Sequence, residues 1–209
     1  MLERFKPIYS EFLTPIALIF KKLKIKPNII SILGALLLVI GSIFIVFHRY
    51  YTALFIMLVG GLLDGVDGKV ARETKNVTKF GAFLDSTMDR IAEILIGVIL
   101  FVYLYNLDIN ELLKEFILYL AIYDMGVFML ISYVKARAEG LGIECKGGIY
   151  QRSERGLLLG ILLLFKQVGI IVYVVLSAIL GTYTVYQRIK EVYNNYKFMI
   201  IQEGDVKDG

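Results

Sequence analysis

The sequence predicts an all-α integral membrane protein, with six transmembrane helices that follow one amphipathic interfacial helix. Three observations predict this class. The 209 residues are 57% hydrophobic and have a mean hydropathy of +0.69, which is too apolar for an ordinary soluble domain. Long apolar runs recur along the chain, and a membrane span needs about 20 such residues. Basic residues are concentrated in alternate connections between these runs.

The predicted elements follow one another along the chain in three parts. Charged and apolar residues are mixed from Leu2 to about Leu23, which predicts a helix at the membrane surface within residues 1–25. One membrane domain, residues 26–200, comes next, and residues 201–209 are expected to form a flexible polar tail. The six predicted spans lie at about 29–47, 52–71, 81–105, 113–137, 153–166 and 168–188.

The charges of the connections predict the orientation. One set of connections contains most of the basic residues, whereas the opposite set holds His48, Arg49, Lys166 and the acidic stretch around Asp108 and Glu111. The positive-inside rule therefore predicts a multi-pass protein of the cell membrane, with both termini in the cytoplasm. The basic residues on the predicted cytoplasmic side are Lys21, Lys22, Lys24, Lys26, Lys69, Arg72, Lys75, Lys79, Lys135, Arg137, Lys146, Arg152, Arg155, Arg188, Lys190 and Lys197.

Four aspartates occur where a membrane protein should have no charge. Asp64 and Asp67 are three residues apart and Asp85 and Asp89 four apart, so each pair shares one face of a helix. Carboxylates that converge in a weakly hydrated site repel one another, and a divalent cation relieves that repulsion. Oxygen-only ligands favour Mg²⁺ or Mn²⁺. We therefore predict a metal site in a polar cavity that opens to the cytoplasm, near the connection 72–80.

The scarcity of other reactive side chains excludes several kinds of chemistry. Cys145 is the single cysteine and His48 the single histidine, and His48 lies beside Arg49 at the end of an apolar run. An internal disulfide and a cysteine metal cluster are therefore excluded, as are Cys–His and Ser–His–Asp catalysis.

The aspartates belong to a longer pattern that runs from Asp64 to Asp89, Asp-x2-Asp-Gly-x2-Ala-Arg-x8-Gly-x3-Asp-x3-Asp. At every defined position this pattern resembles the motif of the CDP-alcohol phosphatidyltransferase family, and six spans agree with that family. Its members transfer a phosphatidyl-type group from a CDP-linked lipid to an alcohol and release CMP. The resemblance also implies a homodimer.

The resemblance implies a role for each defined residue of the motif. It implies Asp64, Asp67 and Asp85 as ligands of two metal ions, and Asp89 at the metal site as the general base that deprotonates the attacking hydroxyl. Two cations about 4 Å apart would neutralise a pyrophosphate, and residues with no side chain or a small one let a ligand approach the backbone. The implied CDP-binding residues are Asn28, Asp67, Gly68, Ala71, Arg72 and Gly81.

A second stretch indicates the acceptor alcohol. It contains the run Lys135-Ala-Arg-Ala-Glu139, then two glycines, then Gln151-Arg-Ser-Glu-Arg155. It is similar to the subgroup that makes phosphatidylinositol phosphate or its archaeal counterpart from inositol 1-phosphate, although that subgroup has Glu-Arg-Pro-Glu-Arg in the last element. The resemblance implies that Lys135, Arg155 and Arg188 bind the acceptor phosphate; Arg137 and Arg152 are weaker candidates.

The predicted function is transfer from a CDP-activated diacyl- or diether-glycerol to inositol 1-phosphate or another phosphorylated alcohol, within a membrane and without nucleic acid. Three alternatives remain open. The acceptor could be glycerol 3-phosphate, which would give a phosphatidylglycerophosphate-type product. The aspartates could instead belong to a cation transporter, or the chain could be a non-catalytic lipid-binding partner. Asp124, in the fourth span, is either functional or hydrogen-bonded within the bundle.

Overall fold

A computed structural model describes residues 6–74 and 76–207, and the side chains of 11, 13–74 and 76–199. This part of the chain is helical throughout, apart from short connections. The helices are α1 (Lys6–Lys22), α2 (Pro27–Val46), α3 (Tyr50–Glu73), α4 (Lys79–Tyr105), α5 (Glu111–Gly140), α6 (Arg152–Leu163) and α7 (Lys166–Lys207).

Three of these helices are long and apolar enough to cross a membrane by length and composition: α2, α5 and the part of α7 from Lys166 to Met199. Of the remaining predicted spans, α3 and α4 contain the aspartates and α6 has 12 residues. The all-helical class is therefore confirmed for the described residues, and six spans stay a prediction. Many large apolar side chains are exposed, such as Phe55 at 68% and Leu112 at 79%, as expected of surfaces that face lipid.

Local signals set the helix starts near the aspartates. α2 begins with Pro27 in its first turn, where the missing N–H costs nothing. α4 begins after Thr78, whose hydroxyl accepts a hydrogen bond from the Gly81 N–H at 2.9 Å. The connection between α3 and α4 is therefore short, and it places both aspartate pairs at the same end of the helices.

α2 packs against both α3 and α4, and the contact with α3 depends on two glycines. A Cβ atom on Gly60 would lie 3.0 Å from the Gly34 carbonyl oxygen, and one on Gly34 would lie 3.3 Å from the Asp64 backbone nitrogen. Only residues without a side chain allow the two backbones to approach this closely. This contact sets the position of Asp64 relative to α2.

The largest apolar core lies at the other end of the bundle, far from the aspartates. It joins the end of α2, the start of α3 and the end of α4 to α5, α6 and α7, through residues such as Ile45, Tyr103, Ile117 and Leu163. Because burial of apolar surface is the main stabilising contribution in such a core, this end holds the helices together.

The N-terminal helix and the C-terminal tail can be compared with the sequence predictions. α1 packs on α3, with Leu13 and Ala17 buried against Val66 and Val70. α7 continues to Lys207, so the tail predicted to be flexible from residue 201 is helical up to that point. The tail contains good helix formers and a single glycine before Lys207, which explains why the helix does not stop sooner.

Candidate active site

Three of the four aspartates converge. One carboxylate oxygen of each of Asp64, Asp85 and Asp89 lies within 4.8 Å of the others, and all three side chains are half-buried. Asp64 comes from α3 and the other two from α4, where their spacing of four residues places them one above the other on one face. Oxygen ligands at these separations fit a divalent cation such as Mg²⁺ or Mn²⁺.

Asp67 lies outside this group of three. Its side chain is 5% exposed, and its carboxylate accepts hydrogen bonds from the Ser31 hydroxyl and from the Gly68 N–H. Its charge still interacts with those of Asp85 and Asp64. The sequence predicts four converging ligands. The structure brings three together, and the fourth, Asp67, accepts a hydrogen bond from Ser31 of α2 while its side chain also contacts that of Asp85.

Arg152 neutralises part of the negative charge of the cluster. Its Nη1 donates to the two carboxylate oxygens of Asp64 at 2.9 and 2.8 Å, and its Nη2 lies 2.8 Å from Asp89 Oδ1. A second arginine, Arg90, lies 3.9 Å from Asp89 through its Nη2. Arg152 thus contacts two of the three carboxylates. Three carboxylates against two guanidinium groups leave a net negative site, and this net charge favours a divalent cation.

Sequence reasoning ranked Arg152 below Arg155, and one signal could have reversed that order. Arg152 is the first residue of α6, and no side chain caps the start of this helix. A cation at a helix N-terminus is unfavourable unless carboxylates or other anions face it. This signal at the first position of α6 would have ranked Arg152 above Arg155.

The predicted CDP-binding residues surround the aspartates where α2, α3 and α4 meet. A Cβ atom on Gly81 would lie 3.2 Å from Asn28 Oδ1, so the start of α4 faces the start of α2. A Cβ atom on Gly68 would lie 3.4 Å from Arg72 Nη1, on the same turn as Ala71. These residues are half-buried apart from Asp67, which is buried, and Arg72, which is exposed. Their role in binding a nucleotide stays a prediction.

The predicted acceptor-binding residues lie on three helices, and two of them are buried. Arg155 is 3% exposed; it pairs with Glu93 through Nη2 and lies 4.6 Å from the centre of the Phe128 ring. Arg188 is 4% exposed and donates to the carbonyl oxygens of Gly147 and Ile131. These contacts hold both guanidinium groups in fixed places.

Lys135 is the most accessible of the three, with its Nζ 3.8 Å from a Glu139 carboxylate oxygen. Lys135 and Arg188 both interact electrostatically with Cys145, and Arg155 interacts with Arg188. The three basic residues therefore belong to one neighbourhood, and their binding of a phosphate stays a prediction.

The loop between α5 and α6 is held on α7. Glu191 accepts hydrogen bonds from the backbone N–H groups of Lys146 and Gly147, at 3.1 and 2.7 Å. Cys145 in this loop is buried. Burial is the main cause that raises the pKa of its thiol, and the charge of Glu191 also raises it. A thiol with a raised pKa stays protonated near neutral pH.

Asp124 is a buried acid within the predicted fourth span. Its side chain is 4% exposed, and neither carboxylate oxygen has a hydrogen-bond partner among the described residues. Hydrogen bonding within the bundle, one of the two interpretations of this residue, is therefore not found.

Comparisons with known proteins agree with this geometry. A family model described as CDP-alcohol phosphatidyltransferase matches residues 24–187. The chain is 35% identical over 192 residues to an archaetidylinositol phosphate synthase of Pyrococcus horikoshii, covering 91% of this chain and 96% of the relative. It is 34% identical over 148 residues to a phosphatidylinositol phosphate synthase of Corynebacterium glutamicum, covering 68% and 64%.

Solved structures show the same likeness. The crystal structure of Mycobacterium tuberculosis phosphatidylinositol phosphate synthase with CDP-DAG bound superposes with a TM-score of 0.76 at 27% identity, covering 88% of this chain and 94% of that one. The same enzyme in complex with manganese and citrate gives a TM-score of 0.77 at 26% identity, covering 87% and 88%. The chain is thus a member of the CDP-alcohol phosphatidyltransferase family.

Proposed function

We propose that this protein transfers the phosphatidyl-type group of a CDP-linked glycerolipid to inositol 1-phosphate and releases CMP. The observation that carries the proposal is the convergence of Asp64, Asp85 and Asp89 beside a fixed guanidinium. Relatives that cover most of this chain are named as synthases of archaetidylinositol phosphate, and shorter matches as synthases of phosphatidylinositol phosphate. These names support an inositol phosphate acceptor over other alcohols.

Divalent metal ions, when bound by the aspartates, would supply the positive charge that makes the pyrophosphate phosphorus electrophilic. Asp64 and Asp85 would be ligands, with Asp67 joining them after it releases Ser31. The half-buried Asp89 would accept the proton of the acceptor hydroxyl, because a hydroxyl is a poor nucleophile until it is deprotonated. The acceptor oxygen then bonds to the lipid-side phosphorus, the bond from that phosphorus to the bridging oxygen breaks, and CMP leaves with the electron pair.

The acceptor would be oriented by its phosphate. Lys135, Arg155 and Arg188 bring three basic side chains into one neighbourhood, where Glu139 pairs with Lys135 and Glu93 pairs with Arg155. A phosphorylated alcohol requires such a second set of cations, whereas serine and unphosphorylated inositol do not. We assign the CDP group to the junction of α2, α3 and α4, and the acceptor phosphate to this basic neighbourhood.

The orientation in the membrane is also a proposal. The aspartates and most of the basic connections are at the same end of the helices, and the positive-inside rule assigns that end to the cytoplasm. The active site would therefore face soluble inositol phosphate while α2, α3 and α4 remain in contact with lipid.

An acceptor assay tests the proposal. Purified protein is incubated with Mg²⁺ or Mn²⁺ and either CDP-diacylglycerol or CDP-archaeol, and CMP release is measured with inositol 1-phosphate, glycerol 3-phosphate, inositol or serine. We expect release with inositol 1-phosphate to exceed release with each other acceptor at least tenfold. Faster release with glycerol 3-phosphate would assign the alternative phosphatidylglycerophosphate-type activity. Failure of every acceptor to stimulate CMP release would contradict the transferase proposal itself.

A further inference from the structure

A cavity lies at the end of the bundle opposite to the aspartates, where α2 leads into α3 and α6 leads into α7. Its volume is about 290 Å³, and it is lined by His48, Arg49, Tyr50, Tyr51, Thr52 and Lys166. Tyr50 and Asp64 are separated by about 20 Å along α3, at 1.5 Å for each helical residue. This cavity is therefore distinct from the proposed active site.

The charged groups that line the cavity are all basic. Among the described residues, no carboxylate lies within 4.0 Å of Arg49 or Lys166. Lys114, another basic residue at this end, is instead paired with Glu111 at 3.2 Å. The connections with few basic residues thus bring His48, Arg49 and Lys166 together in one place. The two like charges of Arg49 and Lys166, gathered in this way, favour an anionic ligand.

The backbone adds to the attraction for an anion. α3 and α7 both begin at this cavity, and neither has an acidic residue in its first turn. The unpaired N–H groups and the positive dipole ends of two helices therefore point to the same place. His48 and Lys166 have φ angles of 56° and 54°, in the left-handed region that residues with a Cβ seldom adopt. At His48 this conformation ends α2, where the Arg49 N–H donates to the Phe44 carbonyl at 2.9 Å.

A chain of contacts through two tyrosine hydroxyls fixes the position of the His48 side chain. Its Nδ1 lies 2.8 Å from the Tyr50 hydroxyl, and that hydroxyl lies 2.8 Å from the hydroxyl of Tyr103, which is buried in the core. On the opposite wall, Lys166 Nζ lies 6.0 Å from the centre of the Tyr51 ring. His48 and Lys166, which both line the cavity, therefore each lie next to a tyrosine side chain.

Exposed apolar residues adjoin the lining residues of the cavity in the chain. Phe47 and Phe165 precede His48 and Lys166 in the chain and are 68% and 64% exposed, and Val168 is 66% exposed. A free inorganic anion makes no favourable contact with exposed apolar side chains. A lipid, in contrast, can place its phosphate against the basic residues and its acyl chains against the apolar ones. We propose that this cavity binds the phosphate headgroup of an anionic phospholipid from the leaflet opposite to the active site.

A fluorescence experiment tests this lipid site. The chain has no tryptophan, so Tyr51→Trp places a single fluorophore in the cavity. Tyr105→Trp is the matched control, because Tyr105 is 62% exposed at the same end of the bundle and does not line the cavity. Each full-length variant is reconstituted into phosphatidylcholine vesicles that contain brominated phosphatidylglycerol or brominated phosphatidylcholine, and quenching of the tryptophan is measured.

We expect brominated phosphatidylglycerol to quench Tyr51→Trp at a mole fraction several times lower than brominated phosphatidylcholine does, and both lipids to quench Tyr105→Trp equally. In the Tyr51→Trp background, Arg49→Gln and Lys166→Gln should each reduce the preference about fivefold, while Lys114→Gln leaves it unchanged. Equal quenching of Tyr51→Trp by the two lipids would overturn the proposal. Loss of the preference on addition of inorganic phosphate would assign the cavity to a free anion and overturn the lipid assignment.

Discussion

Arg152 and Asp64 form an ion pair that links α6 to α3, and one guanidinium nitrogen contacts both carboxylate oxygens. Arg152 Nη1 lies 2.9 and 2.8 Å from the two carboxylate oxygens of Asp64, and the same guanidinium reaches Asp89 on α4 through Nη2. Charge-assisted hydrogen bonds of this kind are among the stronger polar contacts in proteins. The oxygens that would ligate a metal ion therefore already accept hydrogen bonds from an arginine. We expect the arginine and a metal ion to compete for these oxygens.

This competition predicts that Arg152→Gln tightens metal binding. A metal ion must weaken the guanidinium contacts before it can use the same oxygens, and removal of hydrogen bonds to charged groups changes a free energy by about 1.5–3 kcal/mol. We expect the dissociation constant for Mn²⁺ to fall about tenfold. Titration of the purified protein, followed by electron paramagnetic resonance of free Mn²⁺, measures it directly.

Arg137→Gln is the control for this measurement, because Arg137 is an exposed arginine near the predicted cytoplasmic end of α5. It should change the Mn²⁺ dissociation constant less than twofold. Arg152→Lys, which keeps the charge but lacks the guanidinium group, should fall between the wild-type protein and Arg152→Gln. Weaker Mn²⁺ binding by Arg152→Gln would mean that Arg152 supports the metal site instead of competing for it.

The second prediction separates the proposed base from a proposed ligand. Asp89→Asn should lower the rate of CMP release by about 10²–10⁴-fold, because it removes the proton acceptor, with little loss of CDP-lipid binding. Asp64→Asn should first shift the metal titration to higher concentrations. Asp108→Asn, which changes an exposed acid on the far connection, should leave both quantities unchanged. Full turnover by Asp89→Asn would remove Asp89 from the mechanism.

A third prediction concerns the contact between α2 and α3. In Gly60→Ala the new Cβ atom would lie 3.0 Å from the Gly34 carbonyl oxygen and from the Leu38 backbone nitrogen, so the two helices must separate. We expect the free energy of unfolding to fall by about 1–3 kcal/mol and the affinity for Mn²⁺ to weaken, since Asp64 follows on the same helix.

Gly61→Ala provides the matched control for that change, because a Cβ atom there meets nothing within 4 Å. It should leave the Mn²⁺ affinity unchanged and raise the free energy of unfolding by up to about 1 kcal/mol, through better helix propensity. Unfolding in detergent with increasing denaturant measures both variants. Equal stabilities for Gly60→Ala and Gly61→Ala would show that the close approach of α2 and α3 is unimportant.

The fourth prediction concerns Asp124, whose buried carboxylate oxygens have no hydrogen-bond partner among the described residues. Replacing a buried and unpartnered polar group with an apolar one of similar size relieves its desolvation. We expect Asp124→Leu to raise the free energy of unfolding by about 1–3 kcal/mol. Glu115→Gln, an exposed change on the same helix, should remain within about 0.5 kcal/mol of the wild-type value. A loss of CMP release in Asp124→Leu would instead assign the carboxyl a functional role.

The helices were largely predictable because their signals are local. Apolar runs, Pro27 before α2 and the polar residues before α4 specify where helices lie, and the boundaries of α2 to α5 agree with the predicted spans within a few residues. The short length of α6 and the continuation of α7 past residue 200 were less predictable. The length of α6 depends on how it packs against α3 and α7, which a periodic pattern does not encode.

The residue types of the site could be predicted from the sequence, but only part of their spatial arrangement could be. Spacing on one helix places Asp85 and Asp89 together, and this was visible in the chain. Asp67 shares a face with Asp64, yet it bonds to Ser31, which is 36 residues away in the sequence. No local pattern connects those two residues, because the contact exists only after α2 and α3 have packed.

By itself, the sequence determined that this protein is helical, has long apolar segments and two pairs of aspartates, and is a member of a family that handles CDP-linked lipids, since composition and spacing act along a single helix. Only the tertiary structure decided that Arg152 is held by Asp64 and Asp89, and that Arg49 and Lys166 share a cavity. The physical reason is distance: side chains far apart in the sequence interact only when the packing of helices brings their charges within a few ångströms.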